Sequence, residues 1–154
     1  MRRRNNLIAA VLTVLFICTG FFRESVFVNW NEQIRVTYYH SPDPHVAPYM
    51  QWLSALSYSQ LYWLKWPLTL FFTIVFAALA MLIVKLLFNN PGYTRITLYA
   101  YASIFTVSFL FFGFGWLIGF REASYEIARF MAGIIETPAM LIILVASFLV
   151  HRRL

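Results

Sequence analysis

The sequence has little charge and almost no cysteine. Charged residues make up 12% of its 154 residues, against about 25% in ordinary soluble domains. Its one cysteine, Cys18, excludes an internal disulfide and a cysteine-based zinc site. Hydrophobic residues instead reach 61%, and the mean hydropathy is +0.69. These values exclude a soluble globular domain and a disordered chain, so an integral membrane protein of one domain remains.

Acidic residues are scarce as well, six against twelve Lys and Arg, which gives a formal net charge of +6. The basic residues stand between apolar stretches and form no continuous face, so they do not predict a nucleic-acid partner. Cations that flank apolar segments contact anionic headgroups. The predicted partner of the chain is therefore the lipid bilayer.

Four apolar segments are long enough to cross a hydrocarbon core, which takes about 20 residues in a helix. They are residues 6–22, 67–88, 96–120 and 131–150. Because only helices satisfy the backbone of such segments in lipid, we expect an all-α bundle of four transmembrane helices. In this prediction residues 1–154 form one membrane domain, with a long extracytoplasmic loop at 23–66.

The basic residues predict the orientation of the spans. With four spans, both termini lie on one side of the membrane, and the other side holds five bases and five acids. The side with an excess of Lys and Arg is normally cytoplasmic, so we expect both termini inside. Cleavage of the first span after Gly20, as a signal peptide, is the alternative, and the even span count favours a retained anchor. The side of the termini holds seven bases and no acid: Arg2, Arg3, Arg4, Lys85, Arg95, Arg152 and Arg153.

The long loop changes character along its length. Pro42 and Pro44 disfavour a helix in its middle. After Pro48 the sequence becomes aromatic, and amphipathic rings prefer headgroup depth. We therefore expect an interfacial helix on the outer leaflet that turns into the second span at Pro67. Four aromatic residues crowd the end next to that span: Tyr58, Tyr62, Trp63 and Trp66.

Glu136 is an acid inside the fourth span, five residues from its start. A carboxylate there is costly unless it is paired, protonated or hydrated. Arg129 lies two turns earlier and is expected on the same helix face, while Pro138 frees the carbonyl of Ile134 and predicts a kink. Two interpretations stay open, a buried acid that binds a polar group or carries a proton, and a shallow or ion-paired structural acid.

Charged pairs also follow the first and third spans, and they predict a polar cluster at the outer boundary. Such a cluster would dock a partner protein or bind a lipid headgroup. The alternative is that these charges only match one another in the interface. The members of this predicted polar cluster are Arg23, Glu24, Arg121, Glu122, Glu126, Arg129 and Glu136.

Gly115 and Gly119 form a small-xxx-small pattern in the third span. Without side chains at these positions, two helix backbones can approach closely. Packing within the four-helix bundle is favoured over association with another protein, and a homo-oligomer stays open.

The sequence predicts no catalytic, metal or cofactor site. His40, Asp43 and His45 in the long loop lack a fourth ligand. No GxSxG, P-loop or HExxH motif occurs.

These features resemble the small integral membrane proteins associated with the F-type exosortase of Bacteroidota. The resemblance lies in the size, in a first span that ends in Phe21-Phe22-Arg23-Glu24, and in a last span that opens with Arg129-Phe130. That span continues through Glu136-Thr137-Pro138 to an apolar run and a basic tail.

The resemblance implies a multi-pass protein of the bacterial inner membrane that binds or positions an exosortase-like enzyme or its substrate. Exosortases use a Cys with Arg and His at the outer face, and Cys18 has no such partners in its span, so we expect an accessory protein and not an enzyme. A second hypothesis is a small oligomeric transporter or proton-coupled carrier that uses Glu136. A third is a lipid-modifying enzyme with Glu136 or His45 as base.

Overall fold

The computed structural model of the chain describes residues 2–40 and 45–152, and in residues 2, 3 and 121 it describes the backbone alone. Every regular element in these ranges is helical, so the predicted all-helical class is confirmed. The elements are α1 (Arg2–Tyr39), a 3-10 helix (Pro48–Ala55), α2 (Tyr58–Phe88), α3 (Pro91–Ile118), α4 (Arg121–Ile135) and α5 (Pro138–His151).

Three helices, α1, α2 and α3, are long and apolar enough to cross a membrane. Helices α4 and α5 pass the same test together, and they meet at a bend of 56°. The described residues therefore provide three candidate spans, or four if the bent pair is one broken span.

The chain divides into two compact units. Unit 1 comprises Met1–Ile17 and Thr73–Leu154, and unit 2 comprises Cys18–Phe72. The helices α1 and α2 each pass from one unit into the other.

In unit 1, α2 and α5 run in the same direction. Thr73 of α2 contacts Glu136, just before α5, and the rings of Phe88 and Phe148 at the far ends of both helices lie 5.7 Å apart. Helices α3 and α4 are antiparallel neighbours. Ser108 of α3 donates a hydrogen bond to the carbonyl of Ala128, and one turn later on α3 the ring of Phe112 lies 6.5 Å from that of Tyr125, which precedes Ala128 on α4.

The predicted loop at 23–66 is largely helical. Helix α1 continues 17 residues past the apolar segment to Tyr39, because residues 23–39 contain neither glycine nor proline. Pro42, Asp43 and Pro44, which were expected to be irregular, lie outside the described residues.

The predicted turn at Pro67 is wrong. Pro67 lies inside α2, which runs unbroken from Tyr58. The helix is held on both sides of the proline, because Leu61 accepts a hydrogen bond from Trp30 Nε1 and the ring of Phe72 lies 5.9 Å from that of Phe27. These contacts offset the one backbone hydrogen bond that proline removes.

The expected aromatic helix after Pro48 is divided into two pieces. A 3-10 helix covers Pro48–Ala55, and α2 begins afresh at Tyr58. Ser57 and Gln60 form a capping box there, because Gln60 Oε1 accepts from the backbone N of Ser57 at 2.9 Å and Ser57 Oγ accepts from the backbone N of Gln60 at 3.4 Å.

Candidate functional sites: a buried glutamate and an aromatic row

The fourth predicted span is broken where Pro138 predicted a kink. Pro138 has no N–H to donate to Ile134, and the Ile134 carbonyl instead accepts from Thr137, from its backbone N at 3.3 Å and its Oγ1 at 2.9 Å. The backbone N of Glu136 donates to Gly133 at 3.2 Å. These local bonds close the last turn of α4, and α5 starts in a new direction with Pro138 in its first turn.

Glu136 is buried at this break, with 3% of its surface exposed. Thr73 Oγ1 of α2 donates a hydrogen bond to Glu136 Oε1 at 3.3 Å, and Thr73 is itself buried. A buried carboxylate needs hydrogen bonds or charge partners to offset its loss of water. The break therefore places a polar group inside unit 1, where α2 meets the start of α5.

Tyr101 of α3 adds a second buried polar group near the same level. Its side chain is almost fully buried, and its hydroxyl has no hydrogen-bond partner among the described residues. Tyr101 lies seven residues before Ser108, and Ile135 lies seven residues after Ala128, a rise of about 10 Å in each helix. Because Ser108 bonds to Ala128 across an antiparallel pair, Tyr101 is level with the end of α4.

Sequence reasoning missed Tyr101, although a signal was present. The residues Tyr101, Ser108 and Gly115 recur every seven positions, which places them on one face of α3. All three are buried, together with Thr97.

The structure does not bring Arg129 to Glu136. Arg129 is exposed on α4, whereas Glu136 is buried. Glu136 is the residue that caps the C-terminus of α4.

The other predicted cluster residues are divided between the two units. In unit 2, Arg23 forms a 3.0 Å ion pair with Glu24 and lies 4.5 Å from the centroid of the Phe27 ring. In unit 1, Glu122 and Glu126 are exposed on the same face of α4 as Arg129. The side chain of Arg121 lies outside the described residues.

The two glycines of the predicted small-xxx-small pattern have different roles. A Cβ atom at Gly115 would overlap the side chain of Ser124 and lie 3.2 Å from the carbonyl oxygen of Phe120. Gly115 therefore allows the close approach of α3 and α4. Gly119 ends α3 with φ of 87°, a left-handed conformation that favours glycine.

In unit 2, the segment 45–57 between α1 and α2 is bound to α1. Ser25 Oγ and the Tyr49 hydroxyl are 2.5 Å apart. Asn29 Oδ1 accepts from the backbone N of Ala47 at 2.6 Å, and Met50 and Leu53 of the 3-10 helix are buried. The 3-10 helix is therefore an ordered part of the unit.

An exposed row of aromatic rings crosses from the end of α1 to the start of α2. The centroids of successive rings are 4.9, 5.3, 6.3 and 5.9 Å apart. Exposure of these side chains ranges from 38% to 71%. This aromatic row consists of Tyr39, Tyr38, Tyr58, Tyr62 and Trp63.

Basic side chains of unit 2 have polar partners within the unit. Arg35 makes two hydrogen bonds to Glu32, at 2.6 and 2.9 Å, and this guanidinium lowers the pKa of Glu32, ten residues beyond the apolar segment 6–22. Lys65 Nζ donates to Asn31 Oδ1 at 2.8 Å. These pairs link neighbouring turns of α1 and connect α1 to α2.

No group of three or more His, Cys, Asp or Glu side chains that would suit a metal ion occurs in residues 2–40 and 45–152. His40 and His45 are exposed there, and Asp43 lies outside this part of the chain.

No protein-family model, curated protein or solved structure matches the chain. The resemblance to exosortase-associated proteins therefore stays a prediction from the sequence.

Proposed function

We propose that the chain is a four-span accessory protein of the bacterial inner membrane that docks on a larger membrane enzyme of the exosortase type. It binds or positions that enzyme or its substrate and has no catalysis of its own. Both termini lie in the cytoplasm in this proposal, and residues 23–66 lie on the outer side.

The direction of the helices supports four crossings. In a chain that crosses four times, the second and fourth spans run the same way, as α2 and α5 do. The excess of Lys and Arg at the termini and at the turn after Phe88 favours the cytoplasm for that side.

The aromatic row is the observation that carries the docking proposal. Tyr58 lies nine residues before Pro67, where the apolar part of α2 begins, and nine helical residues rise about 13–14 Å. The headgroup layer is only about 5–7 Å thick on each side. In this proposal Trp63 and Trp66 lie at headgroup depth, and the rings of Tyr58, Tyr38 and Tyr39 stand in water. Exposed aromatic side chains in that setting are typical of protein interaction surfaces.

A photo-crosslinking amino acid at Tyr58 tests the proposal in native membranes. We expect a covalent adduct with one multi-span membrane protein, which mass spectrometry identifies. The matched control is the same probe at Tyr99, an exposed tyrosine inside the apolar segment 96–120. Absence of a protein adduct from both Tyr58 and Tyr38 would contradict docking, and an adduct with an unrelated protein would contradict the exosortase assignment.

A carrier that uses Glu136 is the second candidate, and the broken helix favours it. Broken helices in transporters expose backbone groups and polar side chains at mid-membrane binding sites. Glu136, Thr73 and Tyr101 provide such polar groups near one break.

Reconstituted vesicles test this candidate. A proton-coupled carrier would change the pH of the vesicle lumen when a gradient of its substrate is imposed across the membrane. Glu136→Gln would abolish this proton flux. Thr69→Val, one turn from Thr73 on the same helix, is the control that should leave flux unchanged. Flux that is equal in the Glu136→Gln variant would remove this role.

A further inference from the structure

We propose that one end of unit 1 binds anionic phospholipid headgroups through a basic rim formed by Lys85, Arg95, His151 and Arg152. The inference goes beyond the proposed docking function and does not depend on it.

Aromatic contacts bring three helix ends together at this rim. The rings of Tyr93, at the start of α3, and Phe148, near the end of α5, are stacked with centroids 4.5 Å apart. Phe88, the last residue of α2, lies 5.3 Å from Tyr93 and 5.7 Å from Phe148. The His151 ring is 6.2 Å from that of Tyr93. The bases on these three helices are therefore gathered at one end of the unit.

The rim carries charge of one sign. Lys85, Arg95, His151 and Arg152 are all exposed, and none of them forms an ion pair within residues 2–40 and 45–152. No Asp or Glu occurs between Thr73 and Ile118 or between Thr137 and Arg152. In unit 2, by contrast, Arg23 and Arg35 are each bound to a carboxylate.

The positive charge of the rim favours an anionic phospholipid as its ligand. The rim lies at the ends of apolar helices, at the height where phospholipid phosphates lie in a bilayer. Basic clusters between membrane helices bind anionic headgroups. An anionic phospholipid supplies the phosphate to the bases and its acyl chains to the exposed apolar sides of α2 and α5.

Native mass spectrometry of the full chain in detergent tests the site, with phosphatidylglycerol and phosphatidylcholine as probes. We expect phosphatidylglycerol to be retained preferentially. Arg95→Gln and Lys85→Gln should each weaken its apparent affinity about fivefold, the effect of one base near an anionic surface. Arg35→Gln removes the same charge from unit 2 and should leave the affinity unchanged.

Three results would overturn the proposal. They are equal retention of both lipids, equal loss of affinity in Arg35→Gln and Arg95→Gln, and full competition by inorganic phosphate at the concentration of the lipid. The last result would show a general anion site. Circular dichroism of each variant keeps a folding defect separate from a binding defect, and Lys85→Arg should retain the lipid if charge is what binds it.

Discussion

The hydrogen bond between Thr73 and Glu136 should contribute to the stability of the fold, because it satisfies a buried carboxylate. Thr73→Val keeps the shape of the side chain and removes a donor to a buried carboxylate. We expect a loss of about 1–3 kcal/mol in the free energy of unfolding, the usual cost of such a loss. Thermal or denaturant unfolding in detergent measures it.

Thr69→Val is the matched control for this change, because Thr69 Oγ1 donates to the carbonyl of Lys65 in its own helix, at 2.9 Å. We expect a smaller loss there. Equal effects of the two variants would show that the Thr73–Glu136 bond contributes nothing to stability.

Glycine-to-alanine substitution at two positions of α3 should change the free energy of unfolding in opposite directions. Gly115→Ala places a methyl group into Ser124, and overpacking of this kind costs about 1–3 kcal/mol. Nothing lies within 4 Å of a Cβ at Gly113, so Gly113→Ala should stabilise the helix by up to about 1 kcal/mol. Unfolding midpoints of the two variants measure the difference, and a stable Gly115→Ala protein would contradict the close approach of α3 and α4.

At the scale of elements, the capping box of α2 predicts where the helix starts. Ser57→Ala removes an N-cap side chain, which costs about 1 kcal/mol, and we expect faster hydrogen exchange in the first turn after Tyr58. Ser59, two residues later and exposed, is the control, since Ser59→Ala removes a hydroxyl without a cap. If exchange rises equally in both variants, the capping box does not fix this helix start.

The capping box also shows what the sequence can and cannot predict about helix ends. The Ser-x-x-Gln pattern at Ser57 and the Asn90–Pro91 start of α3 are local signals, since each cap is made by residues close in sequence. Hydropathy, by contrast, reports contact with lipid and not helix length, and so the polar half of α1 was expected to be a loop.

Pro67 and Pro138 show the same limit of prediction from sequence. Both prolines were expected to interrupt a helix, but the helix breaks only at Pro138. At Pro138 the preceding Thr137 is extended and its hydroxyl takes the free carbonyl of Ile134, so the break is locally encoded. At Pro67 the helix continues because Leu61 and Phe72 are held by α1. Contacts with residues 30 or more positions away decide that outcome, and no local pattern reports them.

At the scale of the whole molecule, the bent pair α4–α5 is either one broken span or a re-entrant loop. The two interpretations predict different numbers of membrane crossings. Cysteines placed singly at Tyr39, Asn90 and Arg152 in a Cys18→Ser background can be labelled in intact cells with a membrane-impermeant maleimide. Four crossings predict labelling at Tyr39 alone. A re-entrant α4–α5 pair, which returns to the side it came from, predicts labelling at Tyr39 and Arg152 with Asn90 protected. The position of Arg152 thus decides between them, and labelling at Asn90 would contradict both, because it would place the turn between α2 and α3 outside.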